Sequence, residues 1–95
     1  MHQVYVLYSP SIDSYYVGQT EDFVARFQSH KEKLFPLSFT KRADDWIVHL
    51  TIDCSSRKQA VNIESHIKRM KSRLYLENLK KYPEISQRLK TKYNP

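Results

Sequence analysis

The stretch VYVLYSPSIDSYYVGQT (Val4–Thr20) constrains the fold of this chain more than any other. Two short apolar, tyrosine-rich runs flank a turn. In residues 3–9, Val4, Val6 and Tyr8 alternate with Tyr5 and Leu7, the period-two spacing that sends successive side chains to opposite faces of a strand. Within Ser9–Ser14, Pro10 presets φ, and Asp13 and Ser14 can bond their own backbone, which is turn chemistry. Tyr15–Gln19 then returns as a second strand. Both faces of this hairpin are apolar or aromatic, so the sheet is expected to be covered on both sides.

The rest of the chain supplies the covers. Thr20 is placed to cap a helix running to about Lys33, with Glu21 and Asp22 in its first turn complementing the helix dipole. On that helix Phe23, Phe27 and His30 share a face, flanked by Val24 on one side and Arg26 on the other. Leu34–Asp45 has one proline and no clean period, and reads as a loop pinned down by Leu34, Phe35, Leu37 and Phe39. In DWIVHLTIDC (Asp45–Cys54), Trp46, Val48, Leu50 and Ile52 alternate with Ile47, His49 and Thr51, predicting a third strand. Ser56 with Gln59 is a capping-box pattern opening a helix over 56–71, with a stripe of Ala60, Ile63, Ile67 and Met70 and Glu64 on its flank. Ser72 caps a third short helix that Pro83 ends, and the remaining tail adds one or two helical turns before fraying. The order is β-β-α-β-α-α: one α+β domain over residues 1–95, with a core at about 3–80 and a basic helical tail at about 84–95.

Charge and composition narrow the function. The chain carries 16 Lys+Arg against 10 Asp+Glu, a net charge of +6. The cations cluster at Lys68, Arg69, Lys71 and Arg73, at Lys80, Lys81, Arg88, Lys90 and Lys92, and before them at Lys31, Lys33, Lys41 and Arg42. Such clusters neutralise phosphates and release counterions, so a polyanion partner competes with the plainer reading of a solvated basic surface. No run is long and apolar enough for a membrane span, and the N-terminus lacks the pattern of a signal peptide. The single Cys54 can form no disulfide within the chain and fits a reducing compartment such as the cytoplasm. His2, His30, His49 and His66 show no zinc spacing, and no GxSxG elbow is present.

Gly18 is the chain's only glycine, which excludes a glycine-rich phosphate cradle. A lone glycine at a strand end marks a bulge, a turn, or close approach of another backbone or a ligand. Its setting, Tyr16-Val17-Gly18 directly before a predicted helix N-terminus, is a natural place for a phosphate.

Val4-Tyr5, ten intervening residues, then Tyr16-Val17-Gly18 resembles the GIY-YIG nuclease motif. Arg26 in DFVARFQSH, His30 four residues on, Glu64 in AVNIESHIKRMK, and KSRLYLENL (Lys71–Leu79) resemble the later motifs of that family in order and spacing. The likeness covers about residues 3–80 and is strongest to the small stand-alone bacterial members. It implies a three-stranded antiparallel sheet flanked by helices, and a metal-dependent endonuclease that hydrolyses phosphodiester bonds in DNA, with DNA repair or recombination as its setting. By the same resemblance Glu64 is the carboxylate for a divalent cation, Mg²⁺ or Mn²⁺, since a hard cation can keep most of its waters. Arg26 holds the scissile phosphate. Tyr5 is the general base, Tyr16 lines the site, His30 supports proton transfer or phosphate contact, and Gly18 lets backbone approach the phosphate. Lys68, Lys71 and Arg73 are expected to bind DNA, and Asn78 stands where several relatives complete the site. Gln3 replaces the first motif's glycine, and Gln19 stands where excision-repair relatives commonly have lysine.

Each residue also has a plainer reading. Tyr5 and Tyr16 could be sheet core; Arg26 with Asp22, and Glu64 with Lys68, are ordinary i,i+4 pairs; His30 could serve the helix dipole. A non-catalytic nucleic-acid-binding module or a scaffold subunit of a repair complex would need only some of them. All five of Tyr5, Tyr16, Arg26, His30 and Glu64 together favour the nuclease. At this length there is no room for a separate DNA-reading domain, so specificity is expected from DNA shape, a partner protein or dimerisation.

Overall fold

The computed structural model describes residues 1–31 and 42–94, with side chains for all of these except 29–31. Strands β1 (His2–Ser9) and β2 (Ser14–Thr20) form the expected hairpin, and β3 (Ile47–Cys54) pairs antiparallel with the free side of β1, giving the order β2-β1-β3. Helix α1 (Phe23–Lys31) follows β2, and α2 (Arg57–Met70), α3 (Arg73–Lys81) and α4 (Pro83–Lys92) follow β3. The architecture is therefore an α+β domain around a three-stranded antiparallel sheet. No helix among the described residues is long and apolar enough to cross a membrane. The predicted helix end near Lys33 and the contacts of Leu34, Phe35, Leu37 and Phe39 fall outside the described residues.

Both faces of the sheet are covered, as the two-sided hairpin requires. On one face Val4, Val6, Val17 and Ile52 pack with Ala60, Ile63 and Ile67 of α2, Leu79 of α3 and Leu89 of α4. On the other, Tyr5, Leu7, Ala43 and Trp46 form a second cluster joined by Tyr16 and by Phe23 and Phe27 of α1. Full burial of an aliphatic side chain such as Ile63 contributes roughly 1.5–3 kcal/mol, so α2 is held mainly by its apolar stripe.

Four expectations are corrected. Val6 pairs with Leu50 but Leu7 with Val48, so His49 is the extra residue of a bulge. The bulge breaks the alternation: Trp46 joins Tyr5 and Leu7, on the face opposite Ile52, and Val48 is exposed. The His49 ring hydrogen-bonds the Leu76 carbonyl of α3 (2.9 Å) and meets Tyr15 edge-on. Thr20 ends β2 instead of capping α1; the Asp22 carboxylate accepts from the Ala25 N–H (3.2 Å), so neither Glu21 nor Asp22 lies in the first turn. Met70 is exposed because α2 stops there and the chain leaves through Lys71 at φ 47°. The tail does not fray after a turn or two. Pro83, which cannot extend α3, opens α4, and α4 docks through Leu89, a bond from the Gln59 amide to the Lys90 carbonyl (3.0 Å), and the Tyr93 hydroxyl against His66 Nδ1 (2.9 Å).

The caps read from the sequence do form. Ser56 Oγ accepts from the Gln59 N–H and Ser72 Oγ from the Tyr75 N–H, each at 3.1 Å. The Gln59 side chain reaches back one residue further than the usual box, to the N–H of Ser55 (2.7 Å). Two carboxylates tie segments to the hairpin turn. Asp45 accepts from Ser9 Oγ (2.5 Å) and from Ser11 N–H (2.8 Å), fixing the chain before β3. Asp13, at φ 48°, accepts from both Arg73 terminal nitrogens (2.6 and 3.1 Å) and from the Tyr8 hydroxyl (2.6 Å).

Candidate active site

Tyr5 stands directly opposite Gly18 in the β1–β2 register. A Cβ at residue 18 would lie 2.5 Å from Tyr5 Cζ, so only glycine leaves room for this phenol to lie across edge strand β2. Gly18 has no positive φ; its use here is space, not backbone freedom. That space is taken by Tyr5, a use the sequence reading did not give it. The Tyr5 ring is fixed by Phe23 of α1 (centroids 5.4 Å apart) and by Tyr16 (6.2 Å), and Phe23 in turn stacks on Phe27.

The Tyr5 hydroxyl is where charges from three elements converge. Burial pushes its pKa well above the usual tyrosine range. The neighbouring Tyr16 phenol pushes it further up, Arg26 of α1 pulls it down, Glu64 of α2 raises it again, and a hydrogen bond with Tyr16 adds to the rise. Because α1 and α2 pack on opposite faces of the sheet, Arg26 and Glu64 can both act on one hydroxyl only near the β2 edge, where Gly18 leaves the backbone thin. The structure thus brings together Tyr5, Tyr16, Gly18, Arg26 and Glu64. The His30 side chain lies outside the described residues.

Among the side chains that act on the Tyr5 hydroxyl, Glu64 is the one carboxylate and so the one that could hold a metal. Its side chain keeps 20% exposure, and Lys68 Nζ approaches only its Oε1, at 3.6 Å. Among the described residues no three His, Cys, Asp or Glu side chains gather into a metal cage. A lone carboxylate of this kind fits a hard, largely hydrated cation such as Mg²⁺ or Mn²⁺, and does not fit a four-ligand zinc site.

Two concave surfaces flank Gly18 along β2. The first, about 360 Å³, is walled by Ser14, Tyr15 and Val17 of β2 and by Lys68, Lys71 and Arg73. It unites three of the expected DNA-binding cations, with Arg73 held by Asp13 and laid over the Tyr15 ring. The second, about 220 Å³, is lined by His2, Gln19, Thr20, Glu21, Arg26 and Arg57. Arg57 was not singled out from the sequence, although its spacing offered a signal: Arg57 and Glu64 stand seven residues apart and so share one face of α2. Asn78 lies on α3, which packs against β3 and α4, and none of the described contacts joins it to the Tyr5 group.

Residues 1–81 match the family model of the GIY-YIG catalytic domain. No curated protein and no solved structure matches the chain.

Proposed function

Because the chain belongs to the GIY-YIG family, a family of nucleases, we propose that it is a divalent-metal-dependent endonuclease that hydrolyses phosphodiester bonds in DNA, acting in DNA repair or recombination. The observation that carries this reading is the convergence of Arg26, Glu64 and Tyr16 on the Tyr5 hydroxyl. Tyr5 belongs to the core, but a phenol, a cation and a carboxylate from three elements meeting at one sheet edge are less easily explained by packing alone.

The roles follow from the chemistry of each group. Arg26 binds the scissile phosphate, its guanidinium fork matching two phosphate oxygens and opposing the charge that grows on them in the transition state. Glu64 holds the cation, Mg²⁺ or Mn²⁺, which when bound supplies positive charge to the reacting phosphate and to nearby hydroxyls. Tyr5 Oη is the atom assigned to proton transfer. Burial keeps it protonated, so it can act as a base only with cationic charge beside it, and Arg26 already pulls its pKa down. Tyr16, hydrogen-bonded to Tyr5, orients that hydroxyl. His30 assists proton transfer or phosphate contact, and Lys68, Lys71 and Arg73 bind DNA beyond the reacting bond. Specificity comes from DNA shape, a partner protein or a second copy of the chain.

The test is incubation with nicked, branched and supercoiled DNA in Mg²⁺ or Mn²⁺, with Glu64→Ala run alongside. Cleavage that the substitution abolishes is expected. Cleavage that is absent, or that persists in Glu64→Ala, sinks the assignment.

A further inference from the structure

We propose that the cleft between His2, Gln19, Thr20, Glu21, Arg26 and Arg57 is a second phosphate subsite, anchored by Arg57, for the nucleotide flanking the scissile bond on the side away from Lys68 and Lys71. The proposal deepens the nuclease reading and rests on its DNA substrate.

The order of residues along two elements carries it. On β2, Ser14, Tyr15 and Val17 wall the lysine groove, Gly18 comes next, and Gln19 and Thr20 wall the cleft. On α2, Arg57 lines the cleft, Glu64 acts on the Tyr5 hydroxyl, and Lys68, followed by Lys71 just past the helix end, lines the groove. The two series run in matching order, so cation, reaction centre and cation follow one another along a single track. At 1.5 Å of rise per residue, Arg57 stands roughly 10 Å from Glu64 along the axis of α2, with Lys68 and the helix end at Lys71 on the other side of Glu64. That separation suits phosphates of one strand on either side of a central one.

The cleft's own chemistry agrees. Arg57 lines it beside Arg26, which the proposed function assigns to the reacting phosphate, and Glu21 is the one carboxylate in the lining. Arg57 is exposed and makes no ion pair among the described residues, so no carboxylate must be displaced from it before a phosphate binds. Arg73 in the other groove differs, since Asp13 holds it. Gln19 at the strand end adds a neutral side-chain donor for phosphate and sugar oxygens, while the Thr20 hydroxyl is already engaged with Asp22.

The experiment measures anisotropy of a fluorescein-labelled DNA duplex in EDTA, where no cleavage occurs, across a salt series. Arg57→Gln is expected to weaken binding about 3- to 10-fold and to lower the slope of log affinity against log salt by about one. Arg57→Lys should restore most of the affinity and the slope, and Glu21→Gln should tighten binding. A single neutral methylphosphonate next to the cleavage position should weaken the wild type and leave Arg57→Gln unchanged. Wild-type affinity and slope in Arg57→Gln, or equal sensitivity of both proteins to every methylphosphonate position, overturns the subsite. Circular dichroism melting of each variant confirms that the fold is kept. The readouts separate the two proposals. Binding that depends on Arg57 without cleavage in Mg²⁺ or Mn²⁺ removes the nuclease and keeps the subsite, whereas cleavage that Glu64→Ala abolishes, with binding indifferent to Arg57, does the reverse.

Discussion

The Tyr5 phenol occupies the space that a side chain at Gly18 would fill: a Cβ there would stand 2.5 Å from Tyr5 Cζ. The two residues face each other across the β1–β2 pair, so the chain's single glycine and its most buried tyrosine are one feature. Gly18→Ala is therefore expected to displace the ring and destabilise the fold by about 1–3 kcal/mol through overpacking. In a Tyr5→Leu background, where the ring is gone, the same change should cost much less. Urea midpoints of the four proteins measure that coupling, and an equal cost in both backgrounds would show that the clash is not with Tyr5.

Alkaline unfolding reads the same phenol. Burial, the first cause of its raised pKa, favours the protonated folded state over an unfolded chain in which Tyr5 titrates at its ordinary 10.0. Above that pH the unfolded state releases the proton first, so the folded state loses stability as pH rises. The contribution is fully present below pH 10 and is lost above it. Urea unfolding at pH 8 and above pH 10 should show a drop that Tyr5→Phe makes shallower.

Much of this was legible in the sequence, for a physical reason. The hairpin, α2 and the caps at Ser56 and Ser72 depend on local spacing, and Tyr5, Tyr16, Gly18, Arg26 and Glu64 carried motif order. What escaped depended on contacts distant in the chain. The bulge at His49 is stabilised by Leu76 and Tyr15, neither of which marks a bulge from sequence. The docking of α4 depends on a hydrogen bond between Gln59 and Lys90 and another between His66 and Tyr93. The use of Gly18 became visible only when the register set it across from Tyr5.

The His66–Tyr93 contact makes the seating of α4 sensitive to acid. Burial, then the positive charges of Lys92 and Arg69, lower the pKa of His66 from its ordinary 6.5. The unfolded chain thus takes up the proton first, and the contribution of this group is present above pH 6.5 and is lost as pH falls below it. Stability measured in urea should decline between about pH 7 and pH 5, more steeply than in His66→Gln, in which that titration is absent. Identical profiles would show that His66 does not carry the effect.

Arg26→Lys tests the guanidinium as a fork and not merely as a charge. Lysine keeps the charge but cannot engage two phosphate oxygens in the same planar geometry. Loss of a preorganised transition-state contact predicts a fall in kcat of about 10²- to 10³-fold, with KM changed little. A rise in KM at constant kcat would instead place Arg26 in ground-state DNA binding. Melting temperature should not move, since Arg26 lies exposed on α1.

Arg73 lines the lysine groove, yet its guanidinium is taken up by Asp13, which also accepts from Tyr8. The hydrogen bonds from Arg73 and Tyr8 hold the Asp13 carboxyl below its ordinary value, so it stays ionised and competes with phosphate for the same cation. Asp13→Asn removes the competing charge, and asparagine tolerates the left-handed backbone at this position (φ 48°) better than most residues. The variant should therefore bind a DNA duplex more tightly than the wild type in EDTA, with a steeper dependence on salt as Arg73 turns to phosphate. Adding Arg73→Gln should erase the gain. If Asp13→Asn binds no better, or if the gain survives Arg73→Gln, then Arg73 is a tie between α3 and the hairpin turn, and the groove's affinity for DNA belongs to Lys68 and Lys71.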